Sequence, residues 1–216
     1  MKLKLAAAAV GLALSVPAFA ADVNSGASIN QTGNGNYGAI EQSGALNGNA
    51  AIDQYGDNNK AGSESASGGV TTVTAGITQI GTTGAFAQWV QYGNGNWGSI
   101  TQTASANVTA NIDQGGPNNG AIILSNDNYA SASQNAAPNS KIGIHQYGNG
   151  NAGYADQTGS SNESNILQVG NLNIANTYQT GSGATVNLAS ITQTGNSFSA
   201  GIIQHGSGNT GKISQH

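Results

Sequence analysis

The chain has 216 residues, no Cys, no Arg, 6% charged residues and 33 Gly, with 28 Asn and 16 Gln. Without Cys an exported chain has neither disulfide staples nor thiolate metal ligands, and so few basic residues leave nothing to attract nucleic acid. Low charge with abundant amides is unusual for a soluble enzyme. It suits stacked β structure, in which uncharged side chains lie on copies of themselves.

Residues 1–20 read as a secretory signal. Lys2 and Lys4 give a basic start, residues 5–16 form an apolar run too short to span a bilayer, and Ala18-Phe19-Ala20 is a small-x-small cleavage site. This segment is set aside from the fold, and no other stretch predicts membrane insertion. Three lysines and nine carboxylates remain, a net charge of −6.

From Ser28 onward one unit returns about every 11 residues: small, x, Ile, x, Gln, x, Gly, x, x, Asn. The glutamines are Gln31, Gln42, Gln54, Gln79, Gln91, Gln102, Gln114, Gln134, Gln146, Gln157, Gln168, Gln179, Gln193, Gln204 and Gln215. Two positions earlier stand Ile29, Ile40, Ile52, Ile77, Ile100, Ile112, Ile144, Ile166, Ile191, Ile202 and Ile213, the candidate core. Trp89, Ala132, Ala155 and Thr177 fill that place in the remaining units. Four positions before Gln the residue is small, with Ile142 as the exception. Five positions after Gln come Asn36, Asn47, Asn59, Asn96, Asn107, Asn119, Asn139, Asn151, Asn162, Asn173 and Asn209.

The small residue, Ile and Gln share one parity, so in a strand they face one side. Gly and Asn then form the turn, since both tolerate positive φ. A helix fits poorly: the period within each unit is two, and a Gly interrupts every run. One such arc cannot bury its Ile face alone, but two arcs make a coil that stacks on its neighbours about 4.7–4.8 Å away. The expected fold is all-β: a β-solenoid, or β-helix, of about eight stacked two-strand coils, cross-β and amyloid-forming, over residues 21–216. Two degenerate arcs are expected near Ser63-Glu64-Ser65 and Ile122-Ile123-Leu124-Ser125, which brings the total to 17 arcs. The rhythm slips at residues 66–74, 115–134 and 181–186, which read as bulged loops or imperfect coils.

A Gln or Asn at the same point of each coil can donate to the amide above and accept from the one below, forming a structural ladder. The first arc opens at Ala27 and the last runs to Gln215-His216, with no evident cap at either place. Uncapped edges predict head-to-tail growth by strand stacking.

Other motifs have plainer readings. Gly33-x-Gly35-x-x-Gly38, Gly93-x-Gly95-x-x-Gly98 and Gly148-x-Gly150-x-x-Gly153 match a dinucleotide fingerprint, but each is expected to lead into a strand, and phosphate binding needs a helix N-terminus. Asp57 and Asp127 are too isolated for a calcium β-roll. His145, His205 and His216 read as surface side chains, and no catalytic set recurs. Tyr55, Tyr92 and Tyr147, with Tyr37 and Trp97 nearby, form either an exposed aromatic stripe or simple packing over turns. No catalytic, cofactor or metal residue is assigned.

The unit resembles the curlin repeat of bacterial curli, most closely at Gln91-Tyr92-Gly93-Asn94-Gly95-Asn96 and Gln146-Tyr147-Gly148-Asn149-Gly150-Asn151. The resemblance covers essentially residues 27–216. It implies a secreted subunit of extracellular functional amyloid on the surface of a Gram-negative bacterium, reached through the periplasm and used for biofilm matrix and adhesion. It also implies copies of itself, a partner curlin that nucleates and an outer-membrane secretion channel as partners. The alternative is a monomeric β-helical adhesin or ligand-binding solenoid, which should show a flat regular ligand face and capped ends. An enzyme on a β-helix ranks third, for want of a catalytic cluster.

Overall fold

The computed structural model describes residues 24–67, 70–114, 116–118, 121–123, 127–181, 183 and 185–216; the expected signal segment lies outside these. Among the described residues there is no helix, and so none long and apolar enough to cross a membrane.

The chain winds as coils of two arcs each. The first coil is β1 (Gly26–Thr32), then β2 (Tyr37–Gly38) and β3 (Ile40–Ser43). The second is β4 (Asn49–Tyr55), β5 (Lys60–Ser67), β6 (Val70–Ala75) and β7 (Ile77–Ile80). The third is β8 (Phe86–Tyr92) and β9 (Trp97–Thr103). The fourth is β10 (Thr109–Gln114), β11 (Gly116–Asn118), β12 (Ala121–Ile123) and β13 (Tyr129–Asn135). Three plainer coils follow: β14 (Lys141–Tyr147) with β15 (Ala152–Thr158), β16 (Asn162–Val169) with β17 (Ile174–Thr180), and β18 (Asn187–Thr194) with β19 (Ser199–His205). A further arc is β20 (Thr210–Gln215).

First arcs stack into one parallel sheet of 8 strands, in the order β1-β4-β8-β10-β14-β16-β18-β20. Second arcs stack into the facing sheet, through β3-β7-β9-β13-β15-β17-β19. The register is in phase: Ile29 pairs with Ile52 and Gln31 with Gln54, and the same holds up the stack. Like residues therefore sit on like residues, and the inward parity of Ile and Gln repeats in every rung.

The core is one cluster running the length of the stack between the two sheets. Ile52, Ile77, Ile100, Ile112, Ile144, Ile166 and Ile191 are buried, while Ile29, Ile40 and Ile213 in the outermost rungs are partly buried. The exceptions are accommodated locally. Trp89 lies against Gly98, where a Cβ would come within 2.9 Å of its ring. Thr177 replaces Ile but pairs its hydroxyl with Ser164 from the facing sheet, so no polar group is stranded.

The count of arcs differs from the expectation. The two degenerate arcs are not rungs. Residues 62–75 leave the second sheet as an antiparallel hairpin of β5 on β6, and residues 116–118 pair antiparallel with 121–123; Leu124 and Ser125 lie outside the described residues. What remains is 15 arcs, one per ladder glutamine, or seven coils and a half. The first two rhythm slips are these hairpins. Ala61 pairs with Gly98 and then the chain departs; it returns at Gly76, whose Cβ would lie 2.3 Å from the Ala61 carbonyl carbon. The inward small residue of that arc is thus Ala61, fully buried, while Ala75, four positions before Gln79 in sequence, pairs with Gly62 in the hairpin. The third slip, residues 181–186, falls between β17 and β18, and Ser182 and Ala184 in it lie outside the described residues.

Candidate functional site

Each glutamine ends the inward triplet of its arc, so the fold builds two amide columns, one per sheet. In the first sheet Gln31 Nε2 donates to Gln54 Oε1 at 2.6 Å, Gln54 to Gln91 at 2.7 Å, and Gln91 to Gln114 at 2.9 Å. The column continues through Gln146, Gln168 and Gln193 to Gln215 at 2.8–3.1 Å. In the second sheet Gln42, Gln79, Gln102, Gln134, Gln157, Gln179 and Gln204 are joined the same way at 2.7–3.1 Å.

The second N–H of most of these amides has a different use. It crosses to a backbone carbonyl at the start of a strand in the facing sheet: Gln54 to Tyr37, Gln102 to Phe86, Gln146 to Tyr129, Gln204 to Leu188. One side chain thus ties neighbouring rungs together and ties the two sheets to each other. The interior glutamines are fully buried, so an unmade bond there costs the full desolvation of an amide, about 1–3 kcal/mol.

All thirteen Gln–Gln bonds run one way. The donor is always the earlier residue in the chain. The stack is polar: its early face offers amide oxygens and its late face offers amide N–H groups.

The asparagines divide into two roles. In turns from the first sheet to the second, Asn36, Asn59, Asn96, Asn128, Asn151 and Asn173 form a column in which each Oδ1 accepts the backbone N–H of the next coil, at 2.8–3.2 Å. Most also donate Nδ2 to a glycine carbonyl of the next coil, as Asn36 does to Gly56 and Asn151 to Gly170. This explains why Gly two places after Gln accompanies Asn five places after it. The glycine column is close-packed, with a Cβ on Gly33 falling 1.9 Å from the Gly56 carbonyl oxygen, at φ 119°.

Three expected ladder asparagines need correction, and a fourth is not described. Asn119 lies outside the described residues, and Asn128 occupies its column because the hairpin has displaced the turn along the sequence. Asn47, Asn107 and Asn139 sit in the return turns with φ of 53°, 53° and 57°. Those turns carry one more residue than the outward ones, so the fifth position becomes a left-handed corner and the buried column falls on the sixth. Ser140 holds that sixth place, and the column continues at the fifth place in Asn162 and Asn209 and at the eighth in Asn187: Ser140 Oγ accepts from Asn162 N, Asn162 Oδ1 from Asn187 Nδ2, and Asn187 Oδ1 from Asn209 N.

Sequence reasoning missed Asn187, hidden by the third slip, and a whole exposed column. Asn34 N donates to Asp57 Oδ1 at 2.7 Å, Asp57 N to Asn94 Oδ1, Asn149 N to Asn171 Oδ1 and Asn171 N to Asn196 Oδ1. Its signal is the first Asn of each Gly-Asn-Gly-Asn turn. In this column the earlier backbone N–H donates to the later side chain, the reverse of the column at Asn36.

The remaining motifs fall outside the ladders. Each Gly-rich fingerprint runs into a strand, β2, β9 or β15, so no helix N-terminus faces it. Asp57 serves the exposed column. His205 pairs with Thr180 and His216 with Ser214, both on the surface. Tyr55 and Tyr92 stack with centroids 4.7 Å apart, and Trp97, Tyr129 and Tyr154 form a second ring cluster on the facing sheet at 4.9 and 5.0 Å. Among the described residues no group of three or more His, Asp or Glu is arranged to hold a metal.

The model of the curlin associated repeat matches residues 137–170, which span β14, β15 and β16 with their turns. No curated protein matches the chain. The matched segment holds the same inward Ile and Gln, the same glycine column and the same turn asparagines as the rungs above and below it. Residues 137–170 of this β-solenoid are thus similar to the curlin associated repeat.

Proposed function

We propose that this curli-type subunit is a secreted structural protein that assembles head to tail into extracellular amyloid fibres, serving biofilm matrix, surface adhesion and cell aggregation. The observation that carries the reading is the one-way double glutamine ladder. Among the described strands β1 and β3 pair on one side only, as do β19 and β20 at the other face. Such rows of unpaired backbone groups are templates for further strands. The ladder adds direction: Nε2 of Gln204 and Gln215 on the late face meets Oε1 of Gln31 and Gln42 on the early face of another copy. A flipped copy would set donors against donors. The role is structural and not catalytic in this reading. A nucleating curlin and an outer-membrane secretion channel are the partners it calls for.

Residues 21–216, diluted from denaturant and followed by thioflavin T and electron microscopy, test it. Sigmoidal kinetics and fibres are expected. A stable soluble monomer would favour the β-helical adhesin instead.

A further inference from the structure

The outward face of the first sheet carries one arrangement that the ladders do not use. Asn111, Gly143 and Asn165 occupy the same register position on β10, β14 and β16. Gly143 points outward yet is buried. The cover comes from its neighbours: a Cβ at this glycine would sit 3.2 Å from Asn165 Oδ1 and 3.6 Å from His145 Nε2. The imidazole therefore lies back along its own strand, over the glycine, with Nε2 and Asn165 Oδ1 both close to that point. Asn165 Nδ2 donates to Glu163 Oε1 at 3.0 Å, which leaves its Oδ1 facing the notch. Asn111 Oδ1 is buried and has no hydrogen-bond partner. A buried orphan acceptor of this kind calls for a ligand, a water or an ion.

Behind the ring stands a carboxylate. Asp113 Oδ2 is 3.8 Å from His145 Nδ1, and its buried Oδ1 has no hydrogen-bond partner. The carboxylate faces the Nδ1 side of the ring, and Nε2 faces the notch. Metal-bound histidines recur in this arrangement, with the carboxylate orienting the ring and raising its basicity. One imidazole nitrogen with amide oxygens suits Zn2+ or Cu2+ better than Ca2+ or Mg2+, which take oxygen sets alone.

We propose that the notch over Gly143 binds a borderline divalent transition ion, Zn2+ or Cu2+, through His145 Nε2, Asn165 Oδ1 and Asn111 Oδ1, with Asp113 as the positioning carboxylate. His145 is 45% exposed, so the ion has a path in and water completes its coordination. The ligands come from three successive rungs, so the site exists only in the wound stack. It does not depend on fibre growth.

Equilibrium dialysis of tag-free, assembled residues 21–216 against ZnCl2, and electron paramagnetic resonance with CuCl2, test the site. One ion per chain is expected, with an imidazole nitrogen coupled to copper. His145→Ala should remove that coupling and weaken binding at least about tenfold, and Asp113→Asn should weaken it about 10- to 100-fold while retaining the imidazole ligand. Gly143→Ala should weaken it by filling the notch, and His205→Ala should leave binding unchanged. Circular dichroism showing unaltered β content in each variant separates loss of the site from loss of the stack. Absence of binding by the parent chain, or His145→Ala binding like the parent, overturns the proposal. So does binding that falls equally with His205→Ala.

Discussion

The second to fourth coils and the fifth to seventh solve one packing problem with different amounts of chain. In the later part Gln146 and Gln168 are 22 residues apart and bonded at 2.8 Å. In the earlier part Gln54 and Gln91 are 37 residues apart and bonded at 2.7 Å. The difference of fifteen residues is the hairpin of residues 62–75, plus one residue in the return turn, and neither disturbs the ladder. The repeat therefore fixes rungs and not spacings: a length change is tolerated wherever the chain can leave the stack and come back to the same point. The family match falls within the evenly spaced part, where sequence period and rung period coincide.

The comparison can be broken most forcefully at a rung. Gln102→Ala, in a fully buried position, removes the link from Gln79 and the link to Gln134 and opens a cavity. It should cost about 3–5 kcal/mol, read as a lowered denaturant midpoint. The hairpin should behave in the opposite way. Joining Ala61 directly to Gly76 removes 14 residues whose ends already meet, so stability should change by less than about 1 kcal/mol, judged by the same midpoint. A large loss would mean that the hairpin is part of the fold.

The turns give a finer contrast. Asn162→Ala breaks the buried bonds to Gly159 O and Asn187 Nδ2 and should cost about 2–3 kcal/mol. Asn139→Ala only removes, at a left-handed corner, the short polar side chain that makes Asn tolerant of that conformation, and should cost about 1 kcal/mol. The smallest effect concerns pH. Burial, and then Asp113 beside it, hold the Tyr147 phenol above its ordinary value of 10.0. The neutral form is favoured in the stack, so this contribution is present below pH 10 and lost as pH rises through the folded value. Tyr147→Phe should blunt the alkaline loss seen in a midpoint titration.

Much of this was legible from the sequence because a period of two with Ile and Gln on one parity has a single stacked solution. The core and both glutamine columns follow from that alone. The excursions were legible only as slips. Residues 62–65 alternate small and polar residues much as an arc does, and only the pairing of Ala61 with Gly98 shows that the rung is finished by Gly76 and Ile77. The asparagines failed for a related reason. Counting five places from Gln assumes equal turns, but the return turns at Asn47, Asn107 and Asn139 are one residue longer, and a hairpin moves Asn128 away from Gln114. The direction of the ladder has no sequence signal, because an amide offers a donor and an acceptor equally well.

The central claim is that inward glutamines carry stacking from rung to rung and from copy to copy. Seeded fibre growth tests it most directly, comparing Gln204→Ala in β19 with Thr194→Ala, an exposed residue at the end of β18. The ladder account predicts that the glutamine variant slows elongation several-fold while the threonine variant grows like the parent. Equal rates for the two would contradict it.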